Sequence, residues 1–354
     1  MLTMKNGKGI CIFSGSSNRK LASEICSTLG VSLGHANIEY FANSEARPVI
    51  SDSVREQNVF VIQTGAKCKV AGVDRSVNDM LMETLLLVDA CKRSGCKHVT
   101  LLLPCYPYAR QDKKDSARAA ISARVVANMI KAIGAGAVKR IVCVELHNPC
   151  IQGFFDISVD NLYTMDLIVD FLRSCVFPEA LREWAIEHPE ESYDFKKQYV
   201  VVAPDEGGFK RASVFADKLK LPFLGMSKTR DYSQKNYVSK SVILGDHSLL
   251  HGKTALILDD MIDTCGTCIK TVEALSAHGI KNVIVCATHG ILSDPAIDRI
   301  NACDLIKCVV VSDSLDQTDN ATACSKLRVF SLAKLYAEVI KRLVERRSIS
   351  EMFD

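Results

Sequence analysis

"LILDDMIDTCGT", residues 256–267, sets three carboxylates, Asp259, Asp260 and Asp263, at the end of an apolar run and just ahead of a small-residue turn, Thr264 to Thr267. The run itself, "TALILDD" at 254–260, has no polar alternation, the pattern of a strand covered on both faces. A turn into a helix follows, because "TCIKTVEALSAHG" at 267–279 repeats its apolar residues at helical spacing. The same strand-then-helix reading recurs along the chain. Candidate strands are 9–15, 58–65, 98–104 and 140–146, then 199–205, 254–260, 282–290 and 308–314. Helical patterns such as 122–135 and 332–347 lie between or after them. Alternation of this kind predicts an α/β fold with parallel sheets. The series occurs twice, which predicts domains over 1–160 and 161–345, with the tail 346–354 free to pack back on the first. The charged stretch 178–198 reads as a surface excursion.

Composition bounds the rest. The 354 residues are 48 % apolar, enough for a large core, and 44 Lys plus Arg against 41 Asp plus Glu leave a net charge of +3. That balance gives no footprint for nucleic acid. No apolar run reaches the length of a membrane helix; residues 1–9 lack the apolar core expected of a signal peptide, and residues 350–354 do not read as an SKL-type address. Fifteen cysteines lie mostly within apolar runs. They are expected as free thiols in a reducing, cytoplasmic setting, without disulfides or a zinc site.

In sheets of this kind ligands bind beyond the carboxyl ends of strands. At 264–267 the unpaired N–H groups of a helix start, the positive end of its dipole, Gly266 and two Thr hydroxyls form a cradle for an anion, best a phosphate monoester. Asp259 and Asp260 repel a phosphate but suit the hydroxyls of the same ligand, or Mg2+. A phosphate in a turn and a diol on two acids describe ribose 5-phosphate. "HGKT" at 251–254 imitates the end of a P-loop, but His247 stands where the first glycine would be, and the stretch precedes its strand. At the end of the 199–205 run, "DEGGFKR" (205–211) offers Asp205 to a metal or ribose. Its Lys210 and Arg211 read either as phosphate contacts or as a solvated helix turn. "YPYARQDKKDSAR" (106–118) carries Arg110, Lys113, Lys114 and Arg118, with Arg124 beyond. It suits a polyphosphate beside a base or is simply a solvated basic loop. His147 follows the 140–146 run and is a weak ligand candidate by itself.

Together, "PYARQDKKD" (107–115), "QGFFD" (152–156), "VDNLY" (159–163) and "DDMIDTCGT" (259–267) closely resemble the ribose-phosphate pyrophosphokinase family over nearly the whole chain. The resemblance implies two similar phosphoribosyltransferase-like domains, each with a central, largely parallel sheet flanked by helices. It also implies transfer of the diphosphoryl group of ATP to the 1-hydroxyl of ribose 5-phosphate, with Mg2+, giving PRPP and AMP. By the same resemblance Asp205, Asp259, Asp260, Asp263, Thr264, Cys265, Gly266 and Thr267 bind ribose 5-phosphate. Phe41, Asn43, Glu45, Arg110, Gln111, Asp115 and His147 form the ATP pocket, His147 and Asp205 hold the metal, and Lys228 and Arg230 are catalytic. Ser53, Arg55, Arg118, Ser348, Ser350 and Phe353 match a site where relatives bind phosphate and ADP as effectors. A homo-oligomer, a hexamer of dimers, is implied.

The sequence departs from the family pattern at Glu145, Cys150, Glu206 and Phe209, and the loop at 65–80 is enlarged. Glu206 adds charge and Phe209 bulk beside the expected ribose site, unless their side chains point away. The alternative reading is a catalytically silent regulatory paralogue. Such relatives lose the "RQDKK" run and the "DTCGT" loop, both intact here.

Overall fold

The computed structural model describes residues 9–190, 192–230 and 239–353, without the side chains of 228–230 and 239–241. The chain forms two compact units. The first takes the residues up to Tyr163, Asp313–Asp316 and the chain from Ser331 onward, and the second takes Thr164–Ser312 and Gln317–Phe330.

Five parallel strands build the first unit, in the order Ile10–Ser14, Asn58–Ile62, His98–Leu103, Val138–Val144, Ser158–Leu162. Their side chains join helices Val77–Arg93 and Ser122–Ile133 in one core that includes Phe13, Val61, Leu87, Leu101, Ile130 and Ile141. The second unit has seven strands, in the order Ser239–Leu244, Phe223–Arg230, Tyr199–Ala203, Thr254–Ile262, Asn282–Gly290, Ile306–Ser312, Leu327–Phe330. Only the first pair is antiparallel. Tyr199–Ala203 is buried at every position, as a strand covered on both faces must be.

The helix Ala333–Glu345 corrects the expected boundary, because it belongs to the first unit and not to a domain over 161–345. Its buried stripe of Tyr336, Ala337, Val339 and Ile340 packs on Leu21, Ala22 and Ile25 of helix Arg19–Leu29. Ser331 ahead of it hydrogen-bonds Glu24 at 3.0 Å and Asp313 at 2.6 Å. Burial among these groups pushes the Asp313 carboxyl up to about 6. Thr64 donates to the Ser314 carbonyl at 2.6 Å, which ties the short 313–316 visit into the same unit. The tail is in this unit too, with the Phe353 ring edge-on to Tyr163 at 6.2 Å.

Two hairpins escaped the sequence reading. Ala36–Tyr40 pairs with Ala46–Ile50, and both show alternating burial. The enlarged 65–80 segment is a hairpin of Cys68–Val70 and Val73–Arg75. Ala71 and Gly72, at φ 49° and 80°, give the paired positive φ of a two-residue turn whose twist matches its strands. Ser76 and Asp79 then form a capping box for helix Val77–Arg93. The 178–198 excursion holds two helices, Phe177–Glu187 and Phe195–Gln198.

Candidate active site

In the second unit three neighbouring strands carry or lead into expected site residues, two of them the ribose-phosphate set and the third Lys228 and Arg230. Phe223–Arg230 and Thr254–Ile262 flank Tyr199–Ala203, both in parallel. The strand at Thr254 runs past the acids, because Met261 and Ile262 still pair with His289 and Gly290. Asp259 and Asp260 therefore sit within the ladder and not beyond it. The chain then turns through Cys265, at φ 61° and ψ 6°, into helix Gly266–Ser276. Arg299 donates to the Thr264 carbonyl at 2.7 Å and holds the turn from outside.

The acids are crowded. Asp260 is only 6 % exposed, and its N–H donates to Asp259 Oδ1 at 2.8 Å. Burial first, then hydrogen bonding and repulsion from Asp260, push the Asp259 carboxyl up to about 7. Arg211 opposes this from 3.8 Å off Asp260, a partner that neither the phosphate-contact nor the solvated-turn reading of Arg211 anticipated. Beside them Asp205 caps a short 3-10 turn, its Oδ1 accepting from the Gly208 N–H at 3.0 Å. Asp263 is half-buried, while Thr264 and Thr267 are exposed.

Gly266 has a negative φ, and a Cβ there would meet nothing nearer than Arg299 Nη1 at 3.5 Å and Thr264 Oγ1 at 3.8 Å. Among the described residues nothing demands glycine at this position, and bare backbone there suits close approach from outside.

Two departures from the family pattern have structural partners. Glu206 accepts a 2.5 Å hydrogen bond from Ser227, on the strand that continues into Lys228 and Arg230. Phe209 lies over Gly225 and edge-on to Phe223 at 6.2 Å. A Cβ at Gly225 would fall 2.6 Å from the Phe209 ring, so the bulky side chain and the bare backbone require each other. Gly225→Ala is expected to cost about 1–3 kcal/mol as an overpacked site. The loss should shrink when Phe209→Ala is added, which a double-mutant cycle of thermal midpoints would show. The side chains of Lys228 and Arg230 lie outside the described residues; their backbone pairs with Ser241 and Ser239.

In the first unit the expected ATP residues occupy a hairpin tip and two adjacent strand ends. Phe41, Asn43 and Glu45 form the exposed tip between Tyr40 and Ala46, closed by Phe41 N–H to the Glu45 carbonyl at 2.9 Å and Glu45 N–H to Asn43 Oδ1 at 3.2 Å. Arg110, Gln111 and Asp115 follow His98–Leu103, and exposed His147 follows the neighbouring Val138–Val144. Asn148 donates to Asp112 and joins the two loops, and Ser122 donates to Gln111. Arg124 leaves the basic set, since it donates to the Phe154 carbonyl at 2.8 Å. Ser53 and Arg55 lie ahead of strand Asn58–Ile62, Arg118 in the basic loop at φ 65°, and Ser348, Ser350 and Phe353 in the tail. Among the described residues no three His, Cys, Asp or Glu side chains group as a metal site.

Sequence reasoning missed Arg299 and Ser227, whose contacts are made across the fold. It also missed Cys268, which completes a C-x-x-C spacing with Cys265.

A family model for the N-terminal domain of ribose phosphate pyrophosphokinase matches residues 10–134, and one for the phosphoribosyl transferase domain matches residues 177–319. A solved phosphoribosylpyrophosphate synthetase from Mycobacterium smegmatis is 36 % identical over 96 % of this chain and 100 % of that one, with a TM-score of 0.79. Two remote matches carry no weight. One is an adenine phosphoribosyltransferase from Leishmania tarentolae, at 18 % identity over 42 % of this chain and 77 % of that one, TM-score 0.27. The other is an APRTase from Giardia lamblia, at 16 % over 46 % and 83 %, TM-score 0.24. The near full-length match at 36 % identity and the two family models in order show that the chain belongs to the phosphoribosylpyrophosphate synthetase family, a ribose-phosphate diphosphokinase that makes PRPP and AMP from ATP and ribose 5-phosphate.

Proposed function

We propose that the two units divide the substrates as their residues suggest. The turn 263–267 and the acids Asp205, Asp259 and Asp260 hold ribose 5-phosphate. Phe41, Asn43, Glu45, Arg110, Gln111, Asp115 and His147 hold ATP. The observation that carries this reading is the bare, externally open backbone at Gly266 beside two crowded acids. Helix N–H groups there receive the phosphate. Asp259 and Asp260 accept from the sugar hydroxyls, and the charge of Asp260 is balanced by Arg211. The 1-hydroxyl attacks the β-phosphorus in line and AMP departs. Little covalent work falls to the protein in such transfers, so Lys228 and Arg230 act by placing positive charge on the transferring group.

His147 in the first unit and Asp205 in the second are each proposed as a protein contact for Mg2+. A small protein donor set fits this ion, which keeps its waters and takes most other ligands from substrate phosphates. When bound it neutralises phosphate charge. The silent-paralogue alternative is not favoured, because the family match spans both units. A cytoplasmic location, a hexamer of dimers, and control by phosphate and ADP at Ser53, Arg55, Arg118, Ser348, Ser350 and Phe353 complete the proposal. Among the described residues no helix is long and apolar enough to cross a membrane.

The test is a pair of variants read by initial rates of AMP formation. Gly266→Val is expected to raise KM for ribose 5-phosphate roughly tenfold or more, as misplacement by an ångström does, and to leave KM for ATP unchanged. Arg110→Ala is expected to do the reverse. Equal effects of both variants on both substrates would overturn the division.

A further inference from the structure

Glu83, on helix Val77–Arg93 of the first unit, is fully buried. An acid so placed needs its oxygens met by donors. Oε1 accepts from the Ser16 N–H at 2.6 Å and from Gln63 Nε2 at 2.7 Å. Oε2 accepts from Ser16 Oγ at 2.6 Å and from the Tyr40 hydroxyl at 2.8 Å. Two bonds on each oxygen are all that a carboxylate takes. Ser16 and Gln63 lie just past strands Ile10–Ser14 and Asn58–Ile62. Gln63 is fixed in turn, since its Oε1 accepts from Ser17 Oγ at 2.5 Å and from the Ser17 N–H at 3.2 Å. The remaining donor, Tyr40, ends strand Ala36–Tyr40 and directly precedes Phe41, the first residue of the proposed ATP tip. The second hairpin, Cys68–Val70 with Val73–Arg75, reaches the same side chain. Arg75 places its guanidinium 3.6 Å from the centre of the Tyr40 ring. Its buried Nε has no hydrogen-bond partner among the described residues, and a cation–π contact takes the place of that bond. Lys67 pairs with Asp74 at 3.1 Å, and the Cys68 thiol meets Met80 Sδ at 3.4 Å, so this hairpin is itself tied down.

We infer that Tyr40 is the peg that sets the ATP-binding tip, gripped at its hydroxyl by Glu83 and on its ring face by Arg75, which makes all three positioning residues for ATP. The enlarged 65–80 segment thereby gains a task, since it supplies the arginine. This rests on the reading of Phe41, Asn43 and Glu45 as ATP contacts. Those three side chains are exposed. The bonds within the tip, Phe41 N–H to the Glu45 carbonyl at 2.9 Å and Ser44 N–H to the Phe41 carbonyl at 2.8 Å, fix the shape of the turn. They do not fix its place against the sheet. Ile38 and Ile50 pack the body of the hairpin on the core, but apolar contact is non-directional. The bond from Tyr40 to a buried and fully engaged acid is directional, and it lies next to the tip. These groups act on how ATP is met and not on the transfer itself.

The experiment compares three full-length variants. Tyr40→Phe removes only the hydroxyl, Arg75→Ala removes the cation, and Phe41→Ala tests the tip itself. Initial rates of AMP formation should show KM for ATP raised roughly tenfold in Tyr40→Phe, the weight of one hydrogen bond to a charged group. In Arg75→Ala the rise should be roughly threefold, the weight of a half-exposed cation–π contact. In both, kcat and KM for ribose 5-phosphate should stay within about twofold of the wild type. Hydrogen exchange of the 41–45 amides, followed by mass spectrometry without ligand, should quicken in both variants while strand Asn58–Ile62 keeps its protection. A rise in KM for both substrates, or a fall in kcat at constant KM, would replace positioning by general weakening of the unit. Unchanged exchange at 41–45 would overturn the peg whatever the kinetics show. If Phe41→Ala raises KM for ATP and the other two variants do not, the ATP reading stands and the inference falls. If Phe41→Ala leaves KM for ATP unchanged, the ATP reading beneath falls and takes the inference with it, even where exchange at the tip has responded.

Discussion

Asp259→Asn is expected to unfold at a higher temperature than the wild type at pH 8 and to lose its turnover almost entirely. The stability gain follows from the sign of the pKa shift. Burial and Asp260 raise the Asp259 carboxyl from 3.8 to about 7, so the folded protein holds that proton more tightly than the unfolded chain does. The stability this supplies is full below about pH 4 and is lost as pH rises through about 7. Above that the ionised side chain is a liability in the free protein. Asparagine is neutral throughout and escapes it, for a gain on the order of 2 kcal/mol. The gain should fade at pH 5, where the wild-type carboxyl keeps its proton. Turnover should drop by roughly 10²–10³, the size of effect seen when one charged or hydrogen-bonding contact to a transition state is removed. Thermal melts at the two pH values, with AMP formation in parallel, check both halves. An unchanged midpoint at pH 8 would show that the crowded acids are relaxed in solution.

Lys228→Ala is expected to reduce sugar-dependent AMP formation by roughly 10²–10³ while leaving both substrates able to bind. The residue follows Ser227, which Glu206 holds at 2.5 Å. The turn that begins at Asp205 therefore anchors the strand that carries Lys228. Rates with and without ribose 5-phosphate, beside substrate-induced shifts of the thermal midpoint, separate the two effects. A variant that loses binding along with rate would make Lys228 a binding residue and not a catalytic one.

The buried strands were legible because each is a continuous apolar run ending in a chemically distinct cluster. Tyr199–Ala203 and Asn282–Gly290 stand within the predicted runs at 199–205 and 282–290. Thr254–Ile262 outran its prediction, since the pairing of Met261 and Ile262 is set by the neighbouring strand. Short edge pairs were illegible for the opposite reason. "ANIEY" and "CKV" bury too little to stand out, and their pairing depends on partners. The motif "DDMIDTCGT" marked the acids and the turn, but nothing local marks Arg299, 35 residues from the carbonyl it holds. Phe209 read as bulk near a ligand until Gly225 supplied its place. The C-x-x-C spacing was in plain view within a motif already given another meaning. Helical periodicity at 332–347 showed that one face is apolar, not which core would cover it.

That last helix has a consequence for how the protein is made. The first unit begins at the N-terminus, yet it needs Asp313–Asp316 and everything from Ser331 onward. The second unit has all its residues once Phe330 is synthesised. During translation, at about 5–20 residues per second, the unit that starts first is therefore the one that finishes last. Its stripe of Leu21, Ala22 and Ile25 stays without its own helical cover until helix Ala333–Glu345 has been made. A stop codon placed just after Phe330 would leave the nearer unit whole and the distant one open.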